Sequence, residues 1–451
     1  MIKDVLAIIT AKITNKILRF FDFGGGTSLP GVLALKISPN ILRTLVNQTK
    51  KEIISVTGTN GKTTTCGFIA SILRADGRKI THNKKGANML TGVTTAVINS
   101  SSVLGKMEVD NSLLESDEAY LPKFADYFSA DFLVVTNLFR DQLDRYGELE
   151  HTAHKIMEAI DKFNKNPKFK TVLNGDDPSV ANLSDEKTVF FGFEDIEFCN
   201  IDKNVETSSE SANCPCKKEL KYSKKFYGHI GHYYCDCGYS RPTPKYKAFG
   251  KVFVDYSIIT IETETEKFEV RVNMPGLYNT YNALAAITLG LELGIDSEKI
   301  QKAFETYETI FGRAEILKLR GKDTIIQLIK NPAGATEVLR TVKDDQNSRL
   351  LIIINDDYAD GRDVSWLWDA NFELLTNHKK QIITSGIRGA DMAVRLKYAG
   401  IPQENIKTEK DIKTAIIKSL RQTENGEKLY ILPTYTALLN IQKTIAHLKT
   451  K

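Results

Sequence analysis

Thr57-Gly58-Thr59-Asn60-Gly61-Lys62-Thr63-Thr64-Thr65 follows the apolar run Ile53-Ile54-Ser55-Val56 and precedes a segment of helical periodicity. A strand, a glycine-containing turn and a helix in that order make a phosphate cradle. The glycines let backbone N–H groups close on an anion, the lysine neutralises phosphate charge, a threonine hydroxyl ligates Mg²⁺, and the helix N-terminus adds its dipole. Gly58, Thr59, Asn60, Gly61, Lys62, Thr63 and Thr64 are therefore expected to hold ATP, with Lys62 on the phosphates and Thr63 on magnesium. The general G-x-x-x-x-G-K-[ST] pattern would need glycine where Val56 stands, so this loop is a shorter form.

Outward from the loop, Asp131-Phe132-Leu133-Val134-Val135-Thr136 and Leu350-Leu351-Ile352-Ile353-Ile354 are apolar runs of strand length set between amphipathic helical segments. Such runs mark parallel strands buried on both faces, so the expected fold class is α/β with parallel sheets. A chain of 451 residues has room for two or three domains. The pattern restarts near Phe311-Gly312-Arg313, which divides a central ATP-binding unit at 49–310 from a C-terminal Rossmann-like α/β unit at 311–451.

Residues 1–48 stand apart. They carry Lys3, Lys12, Lys16, Arg19, Lys36 and Arg43 against only Asp4 and Asp22, with Ile2, Val5, Leu6, Ile8, Ile9, Ile13, Ile17, Leu18, Phe20 and Phe21 at roughly helical spacing. Charges interrupt the apolar pattern too often for a membrane span, and no cleavage site follows it, so a cytoplasmic location is expected. The segment reads either as a helix packed on its own domain or as one resting on an anionic membrane surface. The net charge of +5, from 61 basic and 56 acidic residues, is too mild to imply a nucleic-acid partner, and none is expected.

Residues 198–244 change character to Ser, Lys, Tyr, Gly and Cys, and hold Cys214-Pro215-Cys216 and Cys235-Asp236-Cys237. Two close cysteine pairs in a reducing compartment point to zinc held by Cys214, Cys216, Cys235 and Cys237, in an inserted four-cysteine zinc ribbon. A loop of this size without an apolar core needs such a metal to offset its ordering entropy. Phe226, Tyr227, Tyr233 and Tyr234 beside Lys221, Lys224 and Lys225 leave a nucleic-acid-binding ribbon as a weaker alternative. After the phosphate loop, Leu113-Leu114-Glu115-Ser116-Asp117-Glu118 places three carboxylates at the end of an apolar run, where a metal-bound triphosphate needs anionic ligands.

The string T-G-T-N-G-K-T-T-T resembles the ATP loop of the Mur ligases and folylpolyglutamate synthetases, which activate a carboxylate as an acyl phosphate and join it to an amine. Thr136-Asn137-Leu138-Phe139-Arg140-Asp141-Gln142-Leu143-Asp144-Arg145-Tyr146-Gly147 resembles the family's T-N-x-x-x-D-H-L-D-x-H-G, with Gln142 and Tyr146 in place of histidines. No counterpart of the carbamylated lysine of several Mur ligases is evident, so the metal arrangement is left open. The resemblance singles out Glu115 as the acidic partner of Thr63 for Mg²⁺. Met274-Pro275-Gly276-Leu277-Tyr278-Asn279-Thr280-Tyr281-Asn282-Ala283-Leu284-Ala285-Ala286 resembles P-G-x-x-N-x-x-N-A-L-A-A, making Asn279 and Asn282 adenine candidates, since an amide offers both donor and acceptor to a purine edge. Helix capping is their other reading. Phe311-Gly312-Arg313-Ala314-Glu315 resembles G-R-x-E, with Arg313 meeting phosphate or ribose, or else a surface carboxylate.

Within the family, Lys330-Asn331-Pro332-Ala333-Gly334, Asn83 to Asn88, the ribbon insert and Asp360-Gly361-Arg362-Asp363-Val364-Ser365-Trp366 resemble the MurT-type branch, ligase-like subunits of lipid II isoglutaminyl synthase. That resemblance implies amidation of the α-carboxyl of D-glutamate in the lipid II stem peptide, with ATP, Mg²⁺ and Zn²⁺ as cofactors and Lys62 and Glu115 in the catalytic centre. It further implies a GatD-type glutaminase partner in a heterodimer, whose Cys-His pair is completed by an aspartate of this chain. Asp363 is favoured for that role, with Asp356 and Asp360 as rivals. The amphipathic start fits a substrate already at the inner face of the membrane. The competing function is a ligase that adds an amino acid directly and needs no glutaminase.

Overall fold

The computed structural model describes residues 2–20, 28–84, 87–139, 149–199, 213–308, 312–345 and 347–449. Lys85, Gly86, Phe311 and the motif members Arg140 to Gly147 lie outside the described residues, as does the side chain of Arg313.

The phosphate loop joins β1 (Ile53–Thr57) to α4 (Lys62–Ala75), following three N-terminal helices, α1 (Ile2–Phe20), α2 (Leu29–Ile37) and α3 (Ile41–Val46). With β2 (Ile80–His82), β3 (Asn111–Glu115), β4 (Phe132–Val135), β5 (Lys170–Asn174) and β6 (Val189–Phe191), β1 forms a parallel sheet of order β2-β3-β1-β4-β5-β6. Strands β1, β3 and β4 are buried at every position. Their successive residues feed two different cores, as the two-residue repeat of a strand requires. Ile54, Val56, Leu113 and Val134 join the core beneath α4, while Ile53, Leu114, Leu133 and Val135 join the core on the opposite face. That second core takes Ala7, Ile8 and Ala11 of α1 together with Val93 and Val97 of α5 (Leu90–Ser100), and Ile156 and Ile160 of α6 (Leu149–Phe163). The N-terminal segment thus packs on its own domain. The chain runs from β1 to one side of the sheet, then crosses to β4 on the other, and ligands of open α/β sheets bind at the carboxyl ends beside such a reversal.

A second sheet departs from the parallel expectation. Its order is β12-β11-β10-β7, built from β7 (Asp195–Phe198), β10 (Lys247–Val252), β11 (Ser257–Glu262) and β12 (Lys267–Val272). Only β7 and β10 pair in parallel; β10, β11 and β12 are antiparallel. The physical reason is the short connections after β10 and β11, which close hairpins but cannot carry a parallel crossover. β10 and β12 alternate exposed and buried residues along their length, and the inner face packs into the core beneath α4 with α7 (Leu277–Glu292). Helix α8 (Ser297–Glu305) covers the same core. Between β7 and β10 lies the cysteine ribbon, whose hairpin is β8 (Lys221–Tyr227) and β9 (Ile230–Tyr234).

The third sheet has the order β13-β14-β18-β15-β16-β17, from β13 (Arg313–Leu319), β14 (Lys322–Gln327), β15 (Ser348–Ile353), β16 (Ile382–Ser385), β17 (Ile406–Thr408) and β18 (Lys428–Pro433). All neighbours pair in parallel except the edge strand β13. Helices α9 (Pro332–Asp344) and α10 (Gly389–Tyr398) lie over one face, α11 (Ile412–Gln422) and α12 (Tyr435–Lys449) over the other. Five parallel strands with helices on both faces match the Rossmann-like expectation.

Candidate active site

The loop after β1 turns on two glycines of positive φ, Gly58 at +127° and Gly61 at +85°. Neither position has room for a side chain: a Cβ on Gly58 would lie 2.3 Å from the Thr136 hydroxyl, and one on Gly61 2.0 Å from Asn282 Oδ1. Gly61 also precedes the first turn of α4, whose amides are the anion-binding end of the helix. The motif Thr136-Asn137 fastens this loop from the end of β4. Thr136 donates its hydroxyl to Asn60 O at 2.7 Å, Asn137 Nδ2 donates to the same carbonyl at 3.0 Å, and the Asn60 N–H donates to Asn137 Oδ1 at 2.9 Å.

Thr63 donates its hydroxyl to Glu115 Oε1 at 3.1 Å, so the two residues expected to share Mg²⁺ meet at the ends of α4 and β3. A hydroxyl and a carboxylate at this spacing are suitable oxygen ligands for a small hard cation. Glu115 is held from behind by Asn83, whose Oδ1 accepts the Glu115 N–H at 2.8 Å while its Nδ2 donates to the Glu115 carbonyl at 2.8 Å. Lys62 is buried, and its Nζ donates to Gly58 O at 2.6 Å and to Glu118 Oε1 at 2.9 Å. Burial works against the Lys62 charge, yet Glu118, Asp117 and Glu115 hold the ammonium above its ordinary value. The Glu118 carboxyl is also raised, by burial first and by Asp117, against the pull of Lys62. A salt-bridged carboxyl would ordinarily fall. Burial outweighs the pull of both Lys62 and Lys330 on this carboxyl, while the carboxyls of Glu118, Asp117 and Glu115 together keep the Lys62 ammonium charged.

Across the cleft, Asn331 caps α9 by accepting the Gly334 N–H at 2.8 Å, and Pro332 fills the first helical position. Its Nδ2 donates to Asn60 Oδ1 at 3.0 Å, tying the C-terminal sheet to the phosphate loop. Asn60, Thr64, Asn137, Asn279, Asn282 and Lys330 line one cleft. Asn279 donates its amide to Pro275 O at 2.7 Å and Asn282 donates to Asn279 Oδ1 at 3.4 Å, so the two adenine candidates face the cleft while also bracing the start of α7.

The acidic loop after β15 separates the three rival aspartates. Asp356 is buried and paired with Arg388 at 2.8 Å. Asp360 is buried and accepts the Thr436 N–H at 2.8 Å and the Thr436 hydroxyl; burial raises its carboxyl. Asp363 is half-buried and accepts from Ser365, N–H and hydroxyl, each at 2.8 Å, ahead of a short helix at Trp366–Asp369. Tyr358 and Ile387, which follow β15 and β16, are exposed, and the exposed Trp368 meets the exposed Tyr398 with ring centroids 5.6 Å apart.

In the ribbon, each cysteine pair sits in the same kind of tight turn. Cys214 N–H bonds Lys218 O at 2.8 Å and Cys235 N–H bonds Tyr239 O at 2.7 Å, with the positive-φ residues Lys217 and Gly238 completing the two turns. The sulfurs of Cys214 and Cys237 are 3.3 Å apart, those of Cys216 and Cys235 3.6 Å, and all four lie within 4.8 Å of one another. Tetrahedral zinc with Zn–S bonds near 2.3 Å needs sulfurs about 3.8 Å apart, so the donor set fits. Of the aromatic residues that suggested nucleic-acid binding, Tyr227 and Tyr233 are buried, Phe226 is half-buried, and Tyr234 is exposed. A stacking platform needs several open rings.

Motif reading marks Asn83, Thr136, Asn137 and Asn331 without a task; the structure gives each a hydrogen-bonding one. The Lys62–Glu118 pair is not anticipated by the sequence, although the Glu118 carboxylate in the same acidic run is the available signal.

Residues 56–234 match the Mur ligase middle domain and residues 328–438 the MurT ligase C-terminal region. The chain is 34% identical to the lipid II isoglutaminyl synthase (glutamine-hydrolyzing) subunit MurT of Streptococcus pneumoniae, over 99% of this chain and 97% of that one. It is 36% identical to the subunit of the same name from Staphylococcus aureus, over 96% and 95% of the two chains. Among solved structures, a pseudomurein peptide ligase type C from Methanothermus fervidus superposes with a TM-score of 0.67 at 24% identity, over 89% of this chain and 79% of that one. MurF from Acinetobacter baumannii gives 0.64 at 15% identity, over 93% and 80%. With a phosphate loop, its acidic partner and a facing C-terminal sheet arranged in this way, the chain belongs to the Mur ligase family, on its MurT branch.

Proposed function

We propose that this chain is the ligase subunit of an amidating enzyme of peptidoglycan synthesis, which converts the α-carboxyl of D-glutamate in the lipid II stem peptide to D-isoglutamine. The observation that carries the reading is the Thr63–Glu115 contact at 3.1 Å beside buried Lys62, in a cleft closed by the C-terminal sheet through Asn331. A carboxylate is a poor electrophile. Its oxygen attacks the γ-phosphorus of ATP, the bond to ADP breaks, and the resulting acyl phosphate is attacked by ammonia; phosphate leaves, a proton is lost, and the amide remains. Lys62 and the loop amides neutralise and orient the phosphates. Mg²⁺ held by Thr63 and Glu115 would screen the β- and γ-phosphate charge. Asn279 and Asn282 are assigned to the adenine, and Arg313 to phosphate or ribose.

The ammonia is assigned to a GatD-type glutaminase partner, since the relatives are named subunits of a glutamine-hydrolysing enzyme. Asp363, just ahead of the short helix that carries the exposed Trp368, is where that partner is proposed to dock. The chain is divided at 49 and 311, with the ribbon at 198–244. No helix among the described residues is long and apolar enough to cross a membrane. Ile2, Leu6, Ile13, Ile17 and Phe20 nevertheless form an exposed stripe opposite the buried face of α1, flanked by Lys3 and Lys16, which supports contact with an anionic membrane face where lipid II resides.

The test supplies the chain with ATP and lipid II and varies the nitrogen source. Ammonium should suffice for the chain alone, and glutamine should work only with the partner. Peptide extension by a supplied amino acid would instead select the amino-acid-adding reading.

The cysteine cluster is assigned to zinc. The small core around it, Cys214, Leu220, Tyr233, Cys235 and Ala181, is too slight to order the ribbon unaided. Purified protein should carry one zinc per chain. A thiol-competing chelator should lower the unfolding temperature by about 5–10 °C, equivalent to roughly 3 kcal/mol for a domain of this size. Metal-free protein as stable as the untreated sample would refute the assignment.

A further inference from the structure

The ribbon hairpin has its two cysteine turns at one end and the turn Tyr227-Gly228-His229-Ile230 at the other, with Tyr227 and Ile230 paired and Gly228 at φ +52°. At about 3.3 Å per residue, β8 spans roughly 20 Å, so this tip lies well away from the cysteines. Two bonds hold it. Tyr222 donates its hydroxyl to His229 O at 2.9 Å, and the Gly231 N–H donates to Asp176 O at 2.9 Å.

His229 is buried, and its Nε2 lies 3.1 Å from Oδ1 of the buried Asp177. That carboxylate already accepts three backbone N–H groups, those of Ser179 at 2.9 Å and Val180 at 3.3 Å on Oδ1 and that of Leu138 at 2.8 Å on Oδ2. A group that only accepts needs a donor opposite it, so Nε2 is the ring nitrogen that carries the proton. The link continues into the phosphate loop, because Leu138 stands between the two residues that fasten that loop. Asn137 bonds the backbone of Asn60 through both ends of its amide. Phe139 donates its N–H to Thr59 Oγ1 at 3.1 Å, and its carbonyl accepts the Thr59 hydroxyl at 3.2 Å. The hairpin tip also meets Phe139 directly, whose ring packs against His229 with centroids 4.6 Å apart and against Tyr227 at 5.8 Å.

We propose that the ribbon supports the phosphate loop from behind, with His229 as a positioning residue. Through Asp177 and Phe139 it fixes the segment 137–139, against which Thr59 and Asn60 are set to receive the phosphates. A binding loop keeps its geometry only when the residues behind it are locked by packing and hydrogen bonds of this kind. The insert then does more than fold on its metal, although no atom of it has to reach the nucleotide. This rests on the assignment of the cleft to ATP.

The test titrates Mg²⁺·tripolyphosphate, which has the phosphates and no base, and Mg²⁺·ATP into the full-length zinc-loaded chain by calorimetry. His229→Leu, which keeps bulk against Phe139 and removes the donor, should weaken both ligands alike, roughly tenfold. His229→Gln, which returns an N–H at similar reach, should recover most of that affinity. His232→Ala is the control. It removes a contact of the same hairpin with Phe193 O, at 2.7 Å from His232 Nε2, and should leave both affinities within about twofold. Should His229→Leu fail to fold, Asp177→Asn breaks the same link at its other member and is read in the same way. Unchanged affinity for both ligands in a folded His229→Leu or Asp177→Asn chain would overturn the proposal. So would an equal loss in His232→Ala, which would make the effect a general loosening of the ribbon. Failure of the unsubstituted chain to bind either ligand would refute the assignment of the cleft itself, a result recognisable before any variant is made.

Discussion

Lys62→Met should lower ammonium-dependent amidation roughly 10³-fold while leaving the chain folded. Methionine keeps most of the length and removes the charge that Nζ brings to the phosphates, and losing one preorganised electrostatic contact of this kind costs about 10²–10³ in turnover. The effect on stability is smaller than for an ordinary buried ion pair, which costs about 3–5 kcal/mol when one partner is removed. The reason is Glu118, already raised by burial and by Asp117, which takes up a proton more readily once Lys62 is gone. A carboxyl raised on folding favours the folded chain below its ordinary value and loses that advantage as pH rises through the raised one. The deficit of Lys62→Met should therefore shrink as pH is lowered from neutral toward the ordinary glutamate range. Melting temperatures across that range, together with phosphate release, separate the two effects. The double variant Lys62→Met with Glu118→Gln should regain stability and no activity; amidation persisting in either variant would remove Lys62 from the mechanism.

The strand–turn–helix at this end of the molecule was legible because it is local: Gly58, Gly61, Lys62 and Thr63 sit on one turn, and Glu115 closes the adjacent strand β3 of the same sheet. The clustering of the four cysteines was legible for a similar reason, since each close pair sits on its own tight turn and the hairpin brings the two turns together. Contacts between distant segments were not. Asn331 meets Asn60 across 271 positions, and nothing in either local pattern specifies the other. Tyr227 reads as part of a polar, aromatic insert, and only the folded hairpin brings it, buried, beside Phe139 and Tyr281. The antiparallel β10–β12 sheet was missed although its alternation of exposed and buried residues was present, because the surrounding α/β pattern set the expectation of parallel strands. On α1 the helical spacing was visible, but two apolar faces share one helix, and only packing distinguishes the buried Ala7, Ile8 and Ala11 from the exposed Leu6, Ile13 and Ile17.

Asp363→Asn should abolish most glutamine-dependent amidation, by roughly 10³-fold, and leave ammonium-dependent amidation unchanged. In a nucleophile–histidine–aspartate arrangement the carboxylate fixes the tautomer of the histidine and stabilises its cation; an amide presents a donor where an acceptor is needed, and rates fall by up to about 10⁴. Of the three aspartates on this loop, Asp356 is engaged by Arg388 and Asp360 by Thr436, both buried, so their substitution would disturb the folded loop before it disturbed a docked subunit. Asp363 bonds only the adjacent turn through Ser365 among its described partners, and asparagine caps such a turn about as well as aspartate. The asparagine variant thus removes charge with little loss of local structure. Co-purification with the glutaminase should survive, because the exposed Trp368 on the following short helix is untouched. A variant that still uses glutamine at the original rate would move the role to another residue. One that loses glutamine and ammonium use together would show that the loop serves the ligase cleft and not a second active site on the partner.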